Sequence, residues 1–147
     1  MVDDEAQRIA QLRTRTIDHV RRYVESGGAN GHITPSGVPA LILTTTGRRS
    51  GRPHPTALFY GQDGDRYVVV ASRGGSKHHP DWYLNLAANE AVEVQVLDRR
   101  FPARARTATG AERERLWRLM AKLFPKYDEY RQTTAREIPV VVIEPVE

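Results

Sequence analysis

The chain contains no cysteine. That absence alone excludes disulfide scaffolds, thiolate zinc sites, iron–sulfur clusters and cysteine nucleophiles. Long apolar runs are missing too, and none approaches the ~20 residues needed to span a bilayer. The opening MVDDEAQRIAQ is acidic and polar, without the basic start and apolar core of a secretory signal. The expectation is a soluble, cytoplasmic protein. No Walker loop, G-x-G-x-x-G fingerprint or G-x-S-x-G elbow occurs. His78 and His79 are adjacent, so they face different ways, and no other ligand stands at helical spacing from them. No metal is expected.

What remains is a 147-residue chain, 39% hydrophobic, of the size of one domain spanning residues 1–147. Its formal charge is +4, and the cations are 19 Arg against only three Lys. Arginine presents a planar fork suited to phosphate and carboxylate, so an anionic partner fits.

Residues 5–25 carry a helical stripe of Ile9, Leu12, Thr16, Val20 and Val24, broadened by Ile17. Five arginines are balanced by five acidic residues across positions 1–25. This balance favours a packing or lid helix over peripheral membrane contact, which needs a basic polar face. A Gly/Pro/Ser-rich loop fills 26–39. Strands are expected at Ala40–Thr46, Ala57–Gly61, Arg66–Ser72, Ala91–Leu97, Arg99–Thr107 and Ile138–Ile143. The second and third form a hairpin through the Asp-Gly of QDGD. One short helix starts near Pro80; another opens at Thr109 with a capping box to Glu112 and runs to about Leu123. Six mostly antiparallel strands with flanking helices make an α+β domain, a sheet or small barrel.

Two loops carry the candidate chemistry. Gly47-Arg48-Arg49-Ser50-Gly51-Arg52-Pro53-His54 offers glycines, hydroxyls, exposed N–H groups and three arginines. Backbone nests and guanidinium forks are what phosphate binds. A solvated basic turn is the plainer reading, and both stand on these residues alone. A second loop, Ser72-Arg73-Gly74-Gly75-Ser76-Lys77-His78-His79, follows one hairpin later. Two convergent cationic loops suit a ligand with several negative charges. Trp82 and Tyr83 come next, and Phe124, Tyr127 and Tyr130 fall three apart on one helical face, for packing or for substrate contact. Nucleic acid is not the expected partner, because the aromatics are not interleaved with the basic residues and no ribonucleoprotein motif is present.

These segments in this order, TTTGRRSGRP, ASRGG, PDWYLNL, ANEAVEVQV and YDEYRQTTAREIPVVVIEP, resemble the deazaflavin-dependent nitroreductase family, whose members use coenzyme F-420. The resemblance runs from about Leu41 to the C-terminus. It implies a split β-barrel of the FMN-binding kind, a polyanionic 8-hydroxy-5-deazaflavin cofactor, and a small acceptor such as a quinone, nitroaromatic or activated enone. Carried over by position, Arg48, Arg49, Ser50, Gly51 and Pro53 contact the tail and phosphate, with Arg52 compensating for His54, where the family has Arg. Ser72, Arg73, Gly74 and Gly75 line the cofactor, and Trp82 and Asn85 support that second loop. Phe59, Phe124, Tyr127 and Tyr130 cover the substrate side, where Tyr130 or Tyr127 positions or protonates the acceptor. Phe59 and Phe124 replace tyrosines of nitroreductase members, so two hydroxyls are lost. The alternatives are an FMN-binding split-barrel reductase and a non-catalytic deazaflavin carrier or sensor; the assembly is a monomer or a homodimer.

Replacing Arg48 and Arg49 with Ala is expected to weaken cofactor binding, at about 1.5–3 kcal/mol for each charge-assisted bond lost. Fluorescence titration measures it, and unchanged affinity in the double variant places the anion site elsewhere.

Overall fold

The computed structural model describes residues 4–146. Helix α1 (Asp4–Glu25) leads into strands β1 (Ala40–Thr46), β2 (Pro53–Phe59), β3 (Gly61–Asp63) and β4 (Arg66–Val70). A single 3-10 turn (Arg73–Gly75) and α2 (Asp81–Ala88) precede β5 (Ala91–Val96) and β6 (Arg99–Thr107). Helices α3 (Gly110–Leu123) and α4 (Lys126–Thr133) then return the chain to β7 (Val140–Pro145).

All seven strands join one antiparallel sheet in the order β2-β1-β5-β6-β7-β4-β3. The expected second strand is in fact two. Ala57–Phe59 pairs with β1, whereas Gly61–Asp63 pairs with β4, and Tyr60 alone separates them. These two pieces therefore sit at opposite edges of the sheet. A flat sheet would hold those edges roughly 29 Å apart, at about 4.8 Å per strand. One residue spans only about 3.3 Å, so the sheet curls until its edges meet. This is the split barrel. Tyr60 is pinned at the junction: its N–H donates to Pro39 O (3.1 Å) and its hydroxyl meets His32 Nε2 (2.9 Å). The Asp-Gly hairpin survives, closed by Gly64 at φ 67° between Asp63 and Arg66, so it joins β3 to β4.

Alternation sorts the side chains into two cores. Leu41, Leu43, Tyr67, Val69, Val94, Ala103 and Ile143 fill the barrel. Val68, Val70, Val140 and Val142 face outward onto Leu116, Trp117 and Met120 of α3 and Tyr127 of α4. β6 behaves as its pattern predicts, with Ala103 and Ala105 inward and Arg100, Arg104 and Arg106 outward.

Two local expectations give way to tertiary partners. Thr109 sits at the α3 N-cap without a side-chain capping bond, and Glu112 accepts from Arg106 Nη1 and Nη2 (2.6 and 3.0 Å). A guanidinium fork outcompetes a neutral backbone N–H for a carboxylate. On α1, Thr16, Val20 and Val24 are half-buried and Tyr23 fully so, but Ile17 is 70% exposed and does not widen the packed stripe. The side chains of Ile9 and Leu12 lie outside the described residues.

Tyr23 locks α1 to the barrel. Its hydroxyl donates to Ala40 O (2.9 Å) and accepts from Leu97 N–H (2.8 Å). Gly28, at φ 88°, packs so tightly on the Leu97 backbone that no Cβ fits. Tyr23→Phe leaves that donor and acceptor unpaired in the core. The expected loss is about 1–3 kcal/mol of stability, read by denaturant unfolding with the fold unchanged by circular dichroism.

Candidate functional site: two basic loops braced by helices

Strand order sets where the loops emerge. β1 and β4 run in the same direction, so the turn after β1 and the loop after β4 open at one end of the barrel. The α3–α4 connection leaves β6 at that same end, because β6 also runs with β1. The two cationic loops anticipated from the sequence thus open at the same end of the barrel.

The first loop turns on Gly47 and Gly51. Gly51, at φ 69°, donates its N–H to Gly47 O (2.9 Å), and Gly47 N–H returns to Arg52 O (2.8 Å). A Cβ on Gly47 would lie 2.5 Å from Ser50 Oγ and 2.6 Å from His54 Nε2, so both side chains would have to shift to admit one. Ser50 Oγ accepts from Arg52 N–H (3.1 Å) and meets His54 Nε2 (3.3 Å). Arg48, Arg49, Ser50, Gly51, Arg52 and Pro53 are all exposed.

Asn85, 4% exposed on α2, holds this loop in place. Its Oδ1 accepts from both the backbone N–H (3.2 Å) and Nη1 (2.8 Å) of Arg48, while Nδ2 donates to Thr45 Oγ1 (3.2 Å). Asp81, one turn earlier, approaches Arg48 Nη2 at 3.5 Å. Asn85 therefore braces the first loop, and not the second as expected, because that face of α2 looks onto β1. Trp82 is half-buried, edge-on to Tyr83 and packed against the barrel core.

The second loop is shaped differently. Ser72 is buried, Arg73 adopts a left-handed φ of 47°, and Gly75 at φ 79° donates its N–H to Ser72 O (2.9 Å). Left-handed backbone at a non-glycine residue is strained and must be held by its surroundings. The holding group is Arg136, from the segment before β7. Its Nη2 donates to Ser72 O (2.7 Å) and Ala71 O (3.1 Å), its Nε to Ser76 O (2.7 Å), and its Nη1 faces His79 Nδ1 (3.1 Å). No carboxylate pairs with it among the described residues. Burial and the neighbouring Arg73 charge both lower its pKa. Sequence reasoning missed Arg136, whose partners stand 57 to 65 residues upstream; its only local signal is a cation just before an apolar strand.

The aromatic face stands beside this loop. Phe59 and Phe124 meet edge-on at 5.0 Å, Phe124 and Tyr127 at 5.0 Å, and Phe124 and Tyr130 at 6.4 Å. The two tyrosines, equivalent by spacing, have different surroundings. Tyr127 is 4% exposed, packed beside Trp117, and burial pushes its phenol well above the usual range. Tyr130 is half-buried, its ring so close to Gly75 that a Cβ there would lie 3.1 Å away. Tyr130 is thus the tyrosine that touches the second loop.

Other features lie apart from this end. A groove of about 410 Å³ between α1 and the outer face of the sheet, lined in part by Val20, Ile42 and Pro55, contains no residue of either loop. Among the described residues no three His, Asp or Glu side chains gather as a metal site, and no helix is long and apolar enough to cross a membrane.

Comparison with known proteins identifies the family and the fold. The model of the F420H(2)-dependent quinone reductase family matches residues 14–145. An F420H(2)-dependent quinone reductase of Mycobacterium tuberculosis is 39% identical over 128 residues, covering 85% of this chain and 86% of that protein. The solved F420-H2 dependent reductase FDR-A superposes with a TM-score of 0.68 at 41% identity, over 72% of this chain and 94% of its own. A solved domain-swapped dimer superposes with a TM-score of 0.71 at 34% identity, over 92% and 98% of the two chains. The haem storage protein HutZ of Vibrio cholerae, at 19% identity and a TM-score of 0.56, shares the fold alone. The chain belongs to the F420H(2)-dependent quinone reductase family.

Proposed function

We propose that this protein reduces a quinone with hydride from reduced coenzyme F-420, held across the two basic loops. One observation carries the reading: two arginine-bearing loops open at one end of the barrel, each braced from beneath, with Tyr130 lying on the second. The donor set fits the cofactor. Several guanidinium groups and turn backbones suit a phosphate with a carboxylate tail, and the Arg136 cation beneath the second loop has no carboxylate partner among the described residues.

Bound there, the deazaflavin supplies the hydride chemistry, and the protein supplies orientation and electrostatics. Arg48, Arg49, Ser50, Gly51, Arg52 and Pro53 take the anionic part, with Arg48 aimed by Asn85. Ser72, Arg73, Gly74 and Gly75 line the ring side. Tyr130 positions the acceptor and delivers or relays a proton through its hydroxyl. Tyr127, buried and held neutral, backs the face without exchanging protons. Phe59 and Phe124 make that face apolar, which suits a quinone ring better than a nitro group that needs hydroxyl donors. The domain-swapped relative supports a homodimer in solution, which sedimentation reads directly.

Titration of the purified protein with coenzyme F-420 and with FMN, at two salt concentrations, is expected to give saturable deazaflavin binding tighter than FMN. Preference for FMN moves the protein to a flavin role, and binding without quinone turnover leaves a carrier. Asn85→Ala frees Arg48 and is expected to weaken cofactor affinity about tenfold, or roughly 1.4 kcal/mol. Phe124→Tyr restores a donor and is expected to raise kcat/KM for a nitroaromatic relative to a quinone; an unchanged ratio removes Phe124 from acceptor selection.

A further inference from the structure

The second loop is closed around one guanidinium. Arg136 reaches three backbone carbonyls of residues 71–76 and the imidazole of His79, so its donors span the loop from end to end. A guanidinium has donors only, so His79 Nδ1, 3.1 Å from Nη1, must be the accepting and therefore unprotonated nitrogen of that ring. The contact exists only while His79 is neutral with its proton on Nε2. A proton on Nδ1 would set donor against donor and cation against cation where the loop's last residue meets Arg136.

The surroundings of His79 offer that proton little help. Tyr83 of α2 lies against the ring, 5.0 Å between centroids, and its hydroxyl is engaged with Thr107 Oγ1 (2.9 Å). Arg136 faces the ring from the segment before β7, and the loop itself contributes the cations Arg73 and Lys77 and the exposed His78. The nearby carboxylate, Asp81, points to Arg48. Burial first, and the Arg136 charge second, hold His79 below the ordinary histidine range. The ring is therefore neutral at pH 7, and the contact is lost as pH falls through that depressed value.

Resting on the cofactor reading above, we propose that Arg136 is the positioning residue of the cofactor loop and that His79 is its proton-sensitive latch. At neutral pH the latch is closed and Arg73 is held in its left-handed turn. In acid, His79 protonates, the guanidinium loses its fourth partner, and residues 72–79 loosen together with their hold on the cofactor.

Hydrogen exchange of the cofactor-free protein tests the latch directly. His79→Asn keeps an acceptor near Nδ1 but does not titrate. Amides of residues 72–79 are expected to exchange at equal rates in wild type and His79→Asn at pH 7.5, and about three- to tenfold faster in wild type at pH 5. Amides of β1 and β7 should show no such ratio. Arg136→Lys, whose ammonium cannot serve three carbonyls and a ring, is expected to raise loop exchange at both pH values without the pH step. Coenzyme F-420 affinity, titrated alongside, should weaken in acid more for wild type than for His79→Asn; titration of the ligand itself is common to both and cancels. Equal loop exchange in the two proteins at pH 5 overturns the latch whatever the cofactor does. A step in exchange without a matching step in affinity overturns the coupling. A step in exchange with no cofactor binding at any pH upholds the latch and overturns the cofactor reading.

Discussion

The whole architecture hangs on a single residue joining the two edges of one sheet. Because only Tyr60 lies between β2 and β3, while those strands occupy opposite ends of the strand order, the sheet has no choice but to curl. Closure sorts alternate valines of β4 and β7 into an interior core and an exterior one that needs α3 and α4 as cover. It also fixes the parity of strand direction that brings the turn after β1, the loop after β4 and the α3–α4 excursion to one end.

The site itself is built by bracing. Each basic loop bends through a left-handed residue, Gly51 in one and Arg73 and Gly75 in the other. Each is held by one side chain that serves several partners at once: the Asn85 amide beneath the first, the Arg136 guanidinium beneath the second. Buried polar groups of this kind stabilise only when their partners are all present. Asn85 fixes Arg48 in this way, whereas Arg49 and Arg52 are exposed. Arginines held that way bind a polyanion at smaller ordering cost than arginines on a mobile loop.

Charge elsewhere is spent on structure. Arg66 and Arg115 grip Asp63, and Arg106 grips Glu112 and Glu144, tying α3 to the hairpin and to β6 and β7. The cations at this end differ in kind: Arg49 and Arg52 are exposed, and Arg136, from the segment before β7, donates to three carbonyls and the His79 imidazole. The excess of arginine over lysine therefore serves two ends, ion-pair architecture and an uncompensated positive surface.

Much of this was legible in the residues themselves. Alternation named the faces of β6, Asp-Gly named the hairpin turn, and the two Gly-Arg loops stood out as the cationic, glycine-bearing turns of the chain, because period-two burial, positive-φ turns and guanidinium chemistry are local properties. What the sequence did not carry was everything that depends on which segments meet. The split of one expected strand at Tyr60, the diversion of Glu112 from its capping box to Arg106, the reassignment of Asn85 to the first loop and the unequal burial of Tyr127 and Tyr130 all arise from partners distant in the chain. Arg136 is the clearest case. Its residue type and position were plain to read, yet its role exists only because barrel closure carries it beneath carbonyls some sixty residues away. Local chemistry determined which groups this protein brings to a ligand; tertiary closure, which alone sets distances between remote residues, decided which of them act together.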